Sequence, residues 1–99
     1  VKRSRLFVDR RESVLNEAGD FLIPKKEGAF GDEHIVAEIG DVFAGTAAGR
    51  GSAAEITLFK SLGLAIEDVA SADHIARKAE SDPDVLRVDL GGWRDPGDA

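Results

Sequence analysis

The 99-residue chain has no cysteine, no methionine and no tyrosine. Without thiols it can form neither disulfide bridges nor thiolate metal sites, and it lacks a cysteine nucleophile. Its longest apolar run, counting one glycine, covers residues 62–66, far short of the roughly 20 residues that cross a bilayer. The sequence therefore predicts no membrane span, and its lack of cysteine suits a reducing compartment such as the cytoplasm.

Acidic residues outnumber basic ones in this chain. Asp and Glu number 19 and Lys and Arg number 13, which gives a formal net charge of −6. Because non-specific binding to nucleic acid depends on clustered cations, we do not expect nucleic acid as a partner. With 42% hydrophobic and 32% charged residues, the composition is typical of one small globular domain.

Three segments have the pattern of β-strands. Residues 6–8 are a short apolar run that ends at Asp9, which is typical of a buried strand in a parallel sheet. Residues 56–59 carry β-branched and aromatic side chains, and residues 85–90 alternate between apolar and polar ones. These strands, with helices between them, predict an α/β fold.

Three further segments are predicted to be helical. The first follows the first strand directly, because Asp9 and Glu12 have the spacing of a capping box. The second covers residues 33–44, and the third runs from about residue 62 to residue 80 with a stripe of mostly alanine on one face. Residues 20–31 are predicted to be a connection with one short extended piece.

Two features suggest ligand sites but are better explained without a ligand. The glycine-rich residues 45–52 follow a predicted helix and lack the lysine of a phosphate loop, so we interpret them as a linker. His34 and Glu38 would share one face of the second helix, but no third metal ligand has a suitable spacing, so we predict no metal site. Arg10 and Arg11 either approach a ligand phosphate or stay exposed in the first helical turn.

The predicted strands are too few for a stable parallel sheet. Such sheets need both faces covered, and ordering the chain costs about 1–2 kcal/mol per residue. Either the chain associates with copies of itself or further strands precede it. The start at Val1 and the absence of methionine favour strands upstream.

Several segments together resemble a known family. They are residues 6–12 (LFVDRRE), 17–20 (EAGD), 34–45 (HIVAEIGDVFAG), 49–50 (GR) and 55–68 (EITLFKSLGLAIED). The last is the most specific, because a strand ending in TLFKS, followed by a glycine and then AIED, is hard to reach by composition alone. Over about residues 3–80 the chain resembles the carboxyl-terminal part of the ornithine cyclodeaminase and mu-crystallin family.

The resemblance implies a fold and a division of the chain. Residues 1–62 would be the end of a Rossmann-type NAD(P)-binding domain, and residues 63–90 would be a helix and a strand that return to a substrate and dimerisation domain. Residues 91–99 would be a flexible tail. The family's catalytic aspartate, its substrate-binding arginine and lysine, and its glycine-rich dinucleotide turn would lie upstream of Val1, so no catalytic residue is assigned here.

The family also implies an activity. Its members transfer a hydride at the α-carbon of an amino or imino acid with NAD or NADP, and in the type reaction ornithine gives proline and ammonia. Ketimine reductases and alanine dehydrogenases of the same family use one direction of hydride transfer. We therefore expect a small amino or imino acid as substrate and a homodimer for the whole protein, with this segment inactive alone. A non-enzymatic alternative is a small acidic protein that self-associates through its alanine-rich helix.

Site residues are implied just beyond the strand at residues 56–59. By resemblance, Ser61 contacts the cofactor and Leu62 contacts the substrate. Lys60 either reaches the cofactor or pairs with an acidic residue of another domain, and Gly63 leaves room for a ring or amide. We therefore assign Ser61 and Lys60 to cofactor binding and Leu62 and Gly63 to substrate binding. Elementary physics favours the same place, because ligands of open parallel sheets bind at the carboxyl ends of strands, beside helix amides that are free to donate. The alternative from the residues alone is that Ser61 caps the helix and Gly63 relieves crowding.

Overall fold

The computed structural model describes residues 1–91, which divide into a unit Val1–Ala65 and a second unit that begins at Ile66. The first unit contains a sheet of three parallel strands, in the order β2-β1-β3. The strands are β1 (Arg5–Val8), β2 (Ile35–Glu38) and β3 (Thr57–Lys60). The helices of the chain are α1 (Arg11–Glu17), α2 (Gly19–Lys26), α3 (Ile39–Phe43) and α4 (Ala65–Ala79).

Strand β1 lies in the centre of the sheet because its side chains are the most apolar and are buried on both faces. Towards β3 the register pairs Val8 with Lys60, and the Asp9 amide continues the ladder by donating to the Lys60 carbonyl at 3.3 Å. The carboxyl ends of β1 and β3 are therefore level. This register brings Asp9 next to the residues that follow β3.

The core lies on one face of the sheet, between β1, β2 and the first two helices. Its buried members are Leu6, Val8, Val14, Ala18, Phe21 and Ile35. On the opposite face Phe7 is buried, and a groove of about 290 Å³ lined by Phe7, Ile39, Val42 and Phe59 runs beside it. The strand prediction for residues 6–8 is thus confirmed, and both of its faces carry apolar contacts.

The prediction that residues 20–31 are a connection is wrong for most of that segment, because residues 19–26 form helix α2. The amides of Phe21 and Leu22 both donate to the Ala18 carbonyl, at 2.9 and 2.8 Å, which starts the helix. Phe21 is 1% exposed and contributes to the core. Burial of this ring outweighs the free-energy cost of Pro24 within the helix. The glycine and proline residues of this segment therefore wrongly suggested an irregular connection.

The predicted helix over residues 33–44 is wrong for residues 33–38 and confirmed only for residues 39–43. A 3-10 turn (Asp32–His34), strand β2 and the short helix α3 occupy this segment. The apolar residues of this segment have helical spacing, which is why the sequence predicted a helix. Ile35 and Ala37 are buried, however, whereas Val36 between them is exposed, which is the two-residue period of a strand. As a consequence His34 and Glu38 do not share a helix face.

The later elements agree in part with the prediction. Strand β3 is confirmed with a shift of one residue, and the long helix is confirmed as α4 with a later start, at Ala65. Residues 45–52 have no regular structure, as predicted for a linker, and the Arg50 guanidinium holds the following turn by donating to the Glu55 carbonyl and the Thr57 hydroxyl.

The strand predicted at residues 85–90 is wrong, since residues 80–91 contain no strand. An alternating sequence becomes a strand only by pairing with a neighbour, and in the described part of the chain no strand pairs with this segment. Of the predicted tail at residues 91–99, all but Gly91 lies outside the described residues. Within residues 1–91, every helix is too short or too polar to reach across a lipid bilayer.

The core makes a direct prediction about stability. Replacing Phe21 by Ala is expected to lower the free energy of unfolding by about 3–5 kcal/mol, because it removes a fully buried ring and leaves a cavity. Ile23→Ala in the same helix is the matched control, because Ile23 is 62% exposed, and its expected change is at most about 0.5 kcal/mol. Urea unfolding followed by circular dichroism measures both, and equal losses for the two variants would contradict the assigned core.

Candidate functional site

The carboxylate of Asp9 is the centre of the candidate site. Asp9 follows β1 and is only 6% exposed, which is unusual for a charged residue. Its Oδ2 atom accepts hydrogen bonds from the Ser61 hydroxyl at 2.8 Å, the Leu62 amide at 2.9 Å and the Gly63 amide at 2.8 Å. Its Oδ1 atom accepts from the Arg10 amide at 2.7 Å. Asp9 thus fixes residues 61–63, here called the rim turn, against the end of β1.

Two opposing effects act on the pKa of Asp9. Burial raises the pKa of this carboxyl, whereas the hydrogen bonds from Ser61 and from the amides of Gly63, Arg10 and Leu62 lower it. The hydrogen bonds together prevail, so the pKa of Asp9 lies below its ordinary value. At neutral pH Asp9 is therefore an ionised group that only accepts hydrogen bonds.

The rim turn has a defined conformation. The Ser61 hydroxyl donates to Asp9 and its oxygen accepts a second bond from the Gly63 amide at 3.1 Å. Gly63 has a φ of +86°, which favours glycine, and a Cβ at this position would meet no atom within 4 Å. The backbone conformation, and not crowding, therefore requires glycine at position 63. Ser61 lies four positions before α4 begins at Ala65, so it is not the residue that caps this helix. The amides of Leu62 and Gly63 are also not free, because both donate to Asp9.

Lys60 precedes the rim turn and points to the side of the sheet that α2 covers. Its ammonium nitrogen lies 3.0 Å from Oδ2 of Asp20, and its side chain is 30% exposed. The structure brings Lys60, Ser61, Leu62 and Gly63 together at one strand end, but it gives Lys60 a partner within this chain. A contact from Lys60 to a cofactor stays a prediction.

Two carboxylates satisfy the amides at the start of α1. Asp9 accepts from the Arg10 amide, and Glu38, the last residue of β2, accepts from the Arg11 amide at 2.8 Å. The predicted capping box of Asp9 and Glu12 is wrong, since no side chain caps α1 in that way. The Arg11 guanidinium donates to the Ile35 carbonyl at 3.1 Å and so links α1 to β2.

An open cleft of about 720 Å³ lies at this end of the first unit. It is lined mainly by charged residues, namely Asp9, Arg10, Arg11, Glu12 and Glu38, together with Leu64 and others. Asp9 and Glu38 were not predicted as site residues. For Asp9 the available signal was its place directly after the predicted strand at residues 6–8, since parallel sheets bind ligands at the carboxyl ends of strands. Glu38 lay in a segment predicted to be helical, so no such signal was available for it.

The His34 side chain packs against other residues of the same chain. Its ring stacks on Phe30 with centroids 4.6 Å apart, and Nε2 lies 3.0 Å from the Val1 carbonyl oxygen. Among residues 1–91, no group of three or more His, Asp or Glu side chains is arranged to hold a metal ion.

Comparison with known proteins gives a consistent result. The model of the ornithine cyclodeaminase/mu-crystallin family matches residues 1–82. The chain belongs to this family. The sequence resemblance is thereby confirmed, and the parallel sheet is part of a Rossmann-type α/β fold.

The relatives of this family member include reductases and dehydrogenases. A Δ(1)-pyrroline-2-carboxylate reductase of Colwellia psychrerythraea is 45% identical over 78 residues, which are 79% of this chain and 25% of the relative. The structure of the Thermococcus litoralis enzyme of the same name, in complex with NADH and L-proline, matches with 51% identity and a TM-score of 0.73 over 80% of this chain and 24% of that one.

An archaeal alanine dehydrogenase dimer with bound NAD matches with 36% identity and a TM-score of 0.66, over 91% of this chain and 28% of that one. The chain therefore spans about a quarter of the length of the proteins it matches.

The hydrogen bonds of Asp9 predict a pH dependence of stability. The pKa of Asp9 is lower in the folded state than in the unfolded chain, where an Asp titrates at about 3.9. Ionised Asp9 therefore stabilises the fold above that value. This contribution is lost as the pH falls through the folded-state pKa. Asp9→Asn is therefore expected to lower the free energy of unfolding at pH 7 by about 1.5–3 kcal/mol, and the deficit should shrink below about pH 4.

Urea unfolding at a series of pH values measures this difference. Asp32→Asn is the matched control, because Asp32 forms an ion pair with Lys25 while its side chain is 52% exposed, and such a pair contributes at most about 1 kcal/mol. A deficit of Asp9→Asn that stays constant down to pH 2 would contradict the ionised state of Asp9.

Proposed function

We propose that this chain forms one side of the nicotinamide site in an NAD(P)-dependent oxidoreductase that acts at the α-carbon of an amino or imino acid. The observation that carries the proposal is the buried Asp9 carboxylate, which gathers Ser61, Leu62 and Gly63 at the level carboxyl ends of β1 and β3. Ligands of open parallel sheets bind at this end. Membership of the family, and relatives whose structures hold NADH with L-proline or NAD, support the proposal.

The rim turn fits the edge of such a cofactor. Ser61 is exposed and offers a hydroxyl oxygen, and the open space around Gly63 leaves room for a flat ring. Leu62, 36% exposed, offers an apolar contact to the carbon skeleton of a substrate. When bound, the nicotinamide supplies or accepts the hydride, while these residues orient it and exclude water.

The charged residues near the rim turn have supporting roles in this proposal. Asp9 is ionised and engaged in four hydrogen bonds, so its role is to hold the turn and not to transfer a proton. Lys60 adds positive charge beside the turn, partly compensated by Asp20. A group that exchanges a proton with the substrate nitrogen is assigned to another part of the whole protein.

Reduction of a cyclic imino acid is the favoured reaction. In this reaction a hydride adds to the α-carbon and a proton adds to the imine nitrogen, which converts Δ(1)-pyrroline-2-carboxylate into proline. The names of the relatives favour this reductase activity over the conversion of ornithine to proline and ammonia. Reductive amination of pyruvate to alanine is the second candidate, because an archaeal alanine dehydrogenase matches over 91% of the chain. By the same likeness we propose that the whole protein is a homodimer.

The whole protein containing this chain is expected to oxidise NADH or NADPH in the presence of Δ(1)-pyrroline-2-carboxylate. Ser61→Ala should raise the KM for the cofactor about three- to tenfold, because it removes one uncharged hydrogen bond between Ser61 and the cofactor. Ser52→Ala, in the exposed linker, should stay within about twofold of the wild type. Parallel assays with pyruvate plus ammonia, and with ornithine plus NAD, separate the three reactions, and a protein inactive in all of them would contradict the proposal.

The 99-residue chain alone is expected to show no saturable binding of NADH in a calorimetric titration. A cofactor pocket buries most of its ligand, roughly 70–90% of the surface, whereas the rim turn provides one edge. Saturable binding in the micromolar range would show that this chain holds a complete cofactor site, and the proposed division of the pocket would be wrong.

A further inference from the structure

We propose that Asp9 is a positioning residue that makes the Ser61 hydroxyl a hydrogen-bond acceptor towards the ligand, so that the ligand group at the rim turn carries an N–H donor. The inference rests on the proposed function for the identity of that group. In a nicotinamide cofactor the group is the primary carboxamide, and its NH₂, rather than its carbonyl oxygen, faces Ser61.

The direction in which the Ser61 hydroxyl donates its hydrogen bond follows from the number of protons that Ser61 and Asp9 carry. A serine hydroxyl has one proton to donate and two lone pairs to accept with. An ionised carboxylate has none to donate, so the 2.8 Å contact between Ser61 Oγ and Asp9 Oδ2 places the serine proton on the side of Asp9. Ser61 therefore has no proton left for a ligand.

The remaining lone pair faces a free position. The Gly63 amide, which also donates to Asp9, lies 3.1 Å from Ser61 Oγ and uses one lone pair of the hydroxyl. The other lone pair is unused by the described residues, and Ser61 is exposed, so a ligand can reach it. Since the amides of Leu62 and Gly63 are also directed to Asp9, none of these three donors of the rim turn points outwards.

The position of Asp9 is fixed by strand β3 and by the start of helix α1. Its own amide donates to the Lys60 carbonyl, and its Oδ1 atom accepts from the Arg10 amide at 2.7 Å. Because Asp9 is buried at the end of the central strand, it cannot turn towards another partner without leaving several amides unsatisfied. Alanine at position 9 removes the acceptor altogether, so the proton of the Ser61 hydroxyl becomes free to turn towards a ligand.

The test compares NADH with its 3-acetylpyridine analogue, in which a methyl ketone replaces the carboxamide and no N–H donor remains. Both are titrated calorimetrically into the whole protein. The wild type is expected to bind NADH about three- to tenfold more tightly than the analogue. The ratio should fall towards one in Ser61→Ala and in Asp9→Ala, which leaves the Ser61 proton free to turn to the ligand, and it should be kept in Ser61→Thr, which retains a hydroxyl. Asp32→Asn is the control for loss of a carboxylate and should keep the ratio of the wild type.

The outcomes distinguish this inference from the proposed function. NADH binding with a ratio that Ser61→Ala leaves unchanged would overturn the inference while the proposed function stands. A ratio lost in Ser61→Ala but kept in folded Asp9→Ala would overturn the positioning role of Asp9. If the wild type binds neither dinucleotide, the proposed function fails, and the assignment of the ligand group fails with it. Circular dichroism establishes folding, and where Asp9→Ala does not fold, the Ser61→Ala and Ser61→Thr pair decides the acceptor role.

Discussion

The buried charge of Asp9 is the constraint on which the first unit of this protein depends. A carboxylate removed from water is costly unless hydrogen bonds replace its hydration, and Asp9 receives four. Three of these donors lie 52 to 54 residues further along the chain. The charge is therefore tolerated only when β1, β3 and the rim turn are correctly assembled, and the same bonds give the turn its shape.

The carboxyl edge of the sheet uses acidic residues in a consistent way. Asp9 directly follows β1 and Glu38 ends β2, and each accepts from a peptide amide at the start of α1. The negative charge at this edge is thus directed into the protein, where it holds helix and strands together. The adjoining cleft also contains Arg10 and Arg11, whose guanidinium groups are engaged with Glu12 and with the Ile35 carbonyl. At this edge of the sheet, hydrogen-bonded carboxylates therefore lie next to an open, polar cleft.

Local patterns in the sequence were sufficient for some elements and insufficient for others. The apolar run at residues 6–8 and the β-branched segment at residues 56–59 predicted two strands correctly, and the family followed from the residues around Ser61. Helix α2 was missed because Pro24 suggested a break in the helix, whereas the burial of Phe21 in the core stabilises the helical conformation. Strand β2 was missed because its pairing with β1 is not visible in the spacing of its apolar residues. The role of Asp9 was missed for the same reason, since the partners of its carboxylate are distant in sequence.

The central place of β1 has a consequence for biosynthesis. Strand β1 is made before its two partners, and the partner on one side begins only at Thr57, so half of its ladder stays open while the intervening segment is translated. Parallel sheets assembled from such distant segments fold slowly and leave apolar surface uncovered in the meantime. Helices α1 and α2, which are complete by Lys26, can cover one face of the nascent strand early. The rim turn would then be the last part of the first unit to assemble, because its bonds to Asp9 form only after Gly63 has left the ribosome.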